Sequence, residues 1–188
     1  ALSTLWGVNN GTASNDQNLI FASMAYNVLK GNSGAAALQL GGYDYHNNTR
    51  TDGDTKDLEA GEAVGRLLET AHLMNKPLFL LVTSDGAVSS AKSDARNSVW
   101  TSDRGSAGVA YMMYYDPSGR KETTNFQLGH FTAGQSADDK FITGNNVELA
   151  AAAIFANYLH LNNKMDIYEK IVTRSLSASD IPKVLRFA

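Results

Sequence analysis

The chain contains no cysteine. That absence excludes a disulfide framework, a zinc-thiolate site and a catalytic thiol, and it fits cytoplasm and periplasm equally. No run of eighteen or more apolar residues occurs, so the sequence encodes no membrane-spanning helix. No basic run occurs either. Sixteen Lys and Arg residues are scattered among nineteen acidic ones, for a formal net charge of −3. Nothing in that balance points to nucleic acid or to an anionic membrane. Internal repeats, low-complexity segments and linkers are also missing. The opening residues, Ala1-Leu2-Ser3-Thr4-Leu5-Trp6-Gly7, lack both a charged start and an initiator Met. They do not read as a signal peptide, and a chain beginning at Ala is expected to be processed or to be part of a longer protein.

What the chain has is ordinary globular material. Its 188 residues, 43% of them hydrophobic, suffice for one domain, 1–188, with a substantial core. Ser14 or Asn15 can cap a helix that carries Leu19, Ile20, Ala22, Tyr26, Val28 and Leu29 at helical spacing and stops at Lys30-Gly31. Residues 35–40 read as a short apolar strand, and 47–54 as an exposed acidic loop. A second helix is expected over 55–74, ended by Asn75-Lys76-Pro77. The continuous apolar run Leu78-Phe79-Leu80-Leu81-Val82-Thr83 fits a strand buried on both faces, as in a parallel sheet. Residues 87–100 read as loop or short helix, 101–108 as turn-rich, and 109–115 as a strand. A further strand is expected near 124–128, and helices over 148–161 and 165–175. This order predicts an α/β domain: a mostly parallel sheet flanked by helices.

The chemistry is concentrated at the ends of the expected strands. Leu40-Gly41-Gly42-Tyr43-Asp44-Tyr45-His46 runs from apolar residues through two glycines to a carboxylate and an imidazole two positions apart. The next strand leads into Thr83-Ser84-Asp85-Gly86, and Ser102-Asp103-Arg104-Gly105 precedes a third. Ligands of open α/β sheets bind outside the carboxyl ends of the strands. Carboxylates and imidazole together can hold a divalent cation, and Arg104 can pair an anionic oxyacid in bidentate fashion. His130, in Gly129-His130-Phe131, is a further candidate. Each residue also has a plainer reading. Asp after Gly-Gly is a common turn former, and so is Asp85 in Ser-Asp-Gly. His72 and His160 lie near helix ends, where an imidazole suits the dipole. Asp52-Gly53-Asp54 carries too few of the positions of a calcium loop.

In order and spacing these three motifs resemble the carboxyl-terminal half of the DUF1501 proteins, bacterial sulfatase-like members of the alkaline phosphatase superfamily. The family pattern runs Gly-Gly-aromatic-Asp-Thr-His, then Ser-Glu-Phe-Gly, then Thr-Asp-His-Gly. The likeness spans roughly residues 16–120. It implies a partial alkaline-phosphatase-like fold and a metal-dependent hydrolase of phosphate or sulfate esters. Its cofactor would be zinc, manganese, calcium or magnesium, and its partner an anionic small-molecule ester. Asp44, His46, Asp85 and Asp103 fall on metal-ligand positions, with His130 as a substitute imidazole and Arg104 as the catalytic anion-binding group. A periplasmic or secreted location follows, as does an amino-terminal segment or companion chain bearing the nucleophile. Arg104 stands where the family has His, which leaves a second expectation: a non-catalytic exported binding or structural protein.

Overall fold

The structure is a computed structural model. It describes residues 1–43, 50–84, 87–90, 100–104, 109–123, 125–134, 136–144 and 146–187, with backbone alone at 50, 87–90 and 100–104. Three helices come first: α1 (Leu2–Trp6), α2 (Gln17–Lys30) and α3 (Arg50–Leu73). Four strands follow: β1 (Leu78–Val82), β2 (Ala87–Ser90), β3 (Trp100–Arg104) and β4 (Tyr111–Tyr115). Then come α4 (Val147–Leu161), a 3-10 turn at Met165–Ile167, α5 (Tyr168–Ile171) and α6 (Ile181–Val184). The chain divides into two compact units. One holds residues 1–80, 90–101 and 113–120, and the other holds 81–89, 102–112 and 121–188.

The expected mostly parallel α/β sheet, and with it the partial alkaline-phosphatase-like fold, is not found among the described residues. Among the described residues helices predominate, and the strands form only two-stranded antiparallel pairs. β1 pairs with β4, and β2 pairs with β3. Parallel neighbours need a crossover of a dozen or more residues, usually a helix. Between β1 and β4 the described residues contain β2 and β3 and no helix. The apolar run at 78–82 misled because such a run reads alike in a doubly buried strand and in a half-covered one. β1 is only partly buried, and Leu81 is 41% exposed. Residues 35–40 form no strand. Leu38 and Leu40 instead pack against the helical cluster around Trp6 and Phe21.

In the first unit, Trp6 organises the core. Its indole is 1% exposed and packs with Phe21 and Ala25. A buried indole N–H needs an acceptor. Nε1 donates to Thr70 Oγ1 at 2.9 Å, and that hydroxyl donates to the Arg66 carbonyl at 2.7 Å. Asp16, not Ser14 or Asn15, caps α2: its Oδ1 accepts from the Leu19 amide at 3.0 Å. Helix α3 begins at Arg50 and so includes Asp52-Gly53-Asp54, expected as loop. Asp52 in the first turn complements the helix dipole and offsets a mid-turn glycine. A calcium-loop reading of that segment falls with the loop.

The second unit is built on α4. Asn146 caps it, with Oδ1 accepting from the Leu149 amide at 3.0 Å. Ala152, Ala153, Ala156 and Leu159 form its buried side, and Tyr168 and Val184 pack there. The helix expected over 165–175 breaks after Ile171 because Tyr168 turns into the core. Its hydroxyl, buried with the ring, accepts from the Leu176 amide at 3.2 Å. Residues 125–128, expected as part of a strand, form none, and the neighbouring Thr123 makes an isolated antiparallel bridge with Phe187.

Asn157 is the polar centre of this unit. It is fully buried, donates from Nδ2 to the carbonyls of Ala153 and Val184 at 2.9 and 3.0 Å, and accepts from the Arg186 amide at 2.7 Å. Asn157→Ala leaves buried backbone groups without partners and should destabilise the protein by about 2–4 kcal/mol, since each orphaned group costs about 1–3 kcal/mol. Urea unfolding measures this. A loss under about 0.5 kcal/mol, the scale of a neutral surface change, would contradict the assigned role.

Candidate functional site

Asp44, His46 and Asp85 lie outside the described residues. Asp103 and Arg104 are the last two residues of β3, where the backbone alone is described. His130 is therefore the one sequence-derived candidate whose side-chain surroundings can be stated.

The approach to the first motif is nevertheless defined. Gly42 sits at φ +84°, in the left-handed region that favours glycine. A Cβ there would come within 3.2 Å of Lys56 Cε. Lys56 reaches over the Tyr43 ring, with Nζ 5.6 Å from its centroid, and donates to Glu59 Oε2 at 2.7 Å. Burial, reinforced by the nearby Glu59 charge, pushes the Tyr43 hydroxyl above its usual range. The second glycine of the motif thus has a local reason: turning the backbone beneath the Lys56 stem.

His130 begins a small antiparallel loop closed by Asp138. Gly129 precedes it at φ +91°, and a Cβ there would lie 3.4 Å from Thr143 Oγ1. Phe131 bridges Ala137, and the Thr132 amide donates to the Ser136 carbonyl at 2.8 Å. The Asp138 amide donates to the His130 carbonyl at 2.9 Å. These bonds put the two side chains together: His130 Nε2 lies 2.7 Å from Asp138 Oδ2. The Phe141 ring meets the imidazole edge-on, centroids 6.3 Å apart.

Asp138 is the better buried partner, 17% exposed against 51% for His130. Its other oxygen, Oδ1, accepts from the Lys140 amide at 2.9 Å. That backbone bond, followed by the His130 hydrogen bond, holds the Asp138 carboxyl below its usual range. The group is therefore ionised at neutral pH. An ionised carboxylate only accepts, so Nε2 of His130 carries the proton. In the neutral ring the lone pair is then on Nδ1. This is the arrangement in which proteins hold a metal-binding imidazole: one nitrogen on a carboxylate, the other facing the metal.

The residues brought together are thus His130 and Asp138. The sequence reading named the first and missed the second. A signal was present: Gly134 lies midway between them, a turn residue that folds Phe131 back onto Ala137. Among the described residues no group of three or more His, Asp or Glu side chains is placed to hold a metal ion. No helix among them is long and apolar enough to cross a membrane. Comparison with models of known protein families, with curated proteins and with solved structures finds no match.

The lowered Asp138 carboxyl sets a pH dependence. Its folded value lies below its unfolded one, so it contributes stability that is present above the unfolded value. That contribution is lost as pH falls through the depressed folded value. Carboxyl-carbon NMR should show Asp138 titrating below ordinary aspartates. His130→Ala should return only part of the shift, because the Lys140 amide is the larger cause. A full return to the ordinary range in His130→Ala would contradict this ordering.

Proposed function

We propose that this chain is a DUF1501-like, metal-dependent hydrolase domain acting on phosphate or sulfate esters. The observation that carries the reading is the order Gly41-Gly42-Tyr43-Asp44-Tyr45-His46, Thr83-Ser84-Asp85-Gly86, Ser102-Asp103-Arg104-Gly105. Carboxylate oxygen and imidazole nitrogen are the donors that zinc and manganese take, and calcium or magnesium would draw on the carboxylates. Asp44, His46, Asp85 and Asp103 are assigned as ligands. A bound cation would stabilise the charge that develops on an attacked phosphate or sulfate. The Arg104 guanidinium would bind the oxyanion. The carboxylate-bound imidazole of His130 fits the same chemistry. The reading stands on motifs and donor chemistry, and a mostly parallel sheet forms no part of it. A periplasmic or secreted location belongs to the same proposal.

One observation favours a second reading, a non-catalytic binding or structural protein. Arg104 occupies the position where the family pattern has His, and a guanidinium that stays protonated does not ligate a metal.

Metal content and ester hydrolysis of the purified protein separate the two. After loading with zinc or manganese, the hydrolase reading expects bound metal and turnover of nitrophenyl phosphate or sulfate. Asp44→Ala and His46→Ala should each cut that turnover by more than about 10–100-fold, the loss typical of removing even an outer partner of a ligand. Bound metal without turnover selects the non-catalytic reading. No bound metal, with Asp44→Ala indistinguishable from the parent, sinks the metal-dependent one.

A further inference from the structure

We propose that Arg186 presents a fixed oxyanion contact on the second unit, its Nη2 taking a single oxygen of a carboxylate or a phosphate. The inference stands on that unit alone and is independent of the hydrolase reading. Arg186 is 7% exposed, so its charge is largely withdrawn from water. A charge so placed is costly unless it is both paired and hydrogen-bonded. Arg186 is hydrogen-bonded, but among the described residues no carboxylate pairs with it. Nε donates to the Gln127 carbonyl, and Nη1 to the carbonyls of Lys183 and Leu185, each at 2.9 Å. A guanidinium has five N–H donors in one rigid plane. Three are spent on these carbonyls, and the two on Nη2 have no partner among the described residues. Tyr43 Oη is the one fully buried side-chain polar atom without a partner among those residues, so Nη2 is not sealed from solvent. The backbone behind it is held too. The Arg186 amide donates to Asn157 Oδ1 at 2.7 Å, and Phe187 bridges Thr123. A donor whose position is already fixed by other bonds loses little freedom when it takes a ligand. Carbonyl dipoles orient the charge without cancelling it, and a bond from a cation to an anionic oxygen is among the stronger ones. With Nε and Nη1 occupied, the two-pronged grip of a free arginine is not available, which limits the contact to one oxygen.

Proton–nitrogen NMR of the arginine side chains in the full chain tests this, with inorganic phosphate and acetate titrated separately at constant ionic strength. The Arg186 signals are assigned through their bonds to its own backbone amide. One anion or both should move the Arg186 Nη2 signal to saturation. Arg174, which is exposed and paired with Glu148, is the internal reference and should show only a small linear drift. Saturation by phosphate alone identifies a phosphate contact, by acetate alone a carboxylate contact, and by both a contact for either oxyanion. Arg186→Lys keeps a charge but not its placement, and should weaken the anion by about 10-fold or more, the worth of one charge-assisted hydrogen bond. Where that variant does not fold, the Arg186 signal of the parent measured against Arg174 decides alone. An Arg186 signal that neither anion moves, or that only drifts in parallel with Arg174, overturns the proposal. So does a folded Arg186→Lys protein with an unchanged midpoint.

Discussion

The carboxamide of Asn157 is the constraint on which the second unit hangs. A fully buried amide in an Ala-rich helix is costly unless every donor and acceptor is met, and here the chain itself meets them. Val184 and Arg186 are brought to α4 because their backbone groups satisfy Asn157. Arg186 extends the connection. The residue is 7% exposed, and its guanidinium donates from Nε to the Gln127 carbonyl and from Nη1 to those of Lys183 and Leu185. Burial lowers its pKa, but carbonyl dipoles receive the charge in place of a carboxylate. Gln127 is three residues before His130. Hydrogen bonds, buried at Asn157 and part-buried at the Arg186 guanidinium, therefore run from the middle of α4, through the carboxyl-terminal segment, to Gln127.

The first unit solves a similar problem with Trp6. Its indole needs an acceptor, Thr70 supplies one, and the apolar faces of α1 and α2 close around the ring. Leu38 and Leu40 join that cluster. The residues leading into Gly41-Gly42 are therefore held by helix packing, not by a sheet ladder. The Lys56 stem lies against Gly42, whose φ of +84° is what favours glycine there. Gly42 and Tyr43, which read as a strand end, lie here against Lys56 of α3.

What could be read from the sequence follows from this. α2 and α4 were legible because their apolar residues recur at helical spacing, although the cap of α2 is Asp16 and not Ser14 or Asn15. The beginning of α3 was not, since Asp52-Gly53-Asp54 has loop composition and only its place at a helix N-terminus makes it helical. Strand pairing was the largest error. Whether β1 is covered on one face or two depends on partners far away in the chain, and no local pattern records that. Of the described pair, His130 was named from the sequence. Pairing was not: Asp138 meets His130 through a loop whose closure depends on Gly129 at positive φ and on Thr143 behind it. The break after Ile171 likewise comes from Tyr168 turning inward, a tertiary event with no helix-ending residue to announce it.

Under the proposed function, Asp44 and His46 hold a divalent metal ion. Anomalous diffraction from crystals of the zinc-loaded protein, collected at the zinc absorption edge, reads that claim directly. The account predicts an anomalous peak about 2.0–2.2 Å from an Asp44 oxygen and a His46 ring nitrogen. A zinc-loaded crystal with no peak at either residue would contradict it.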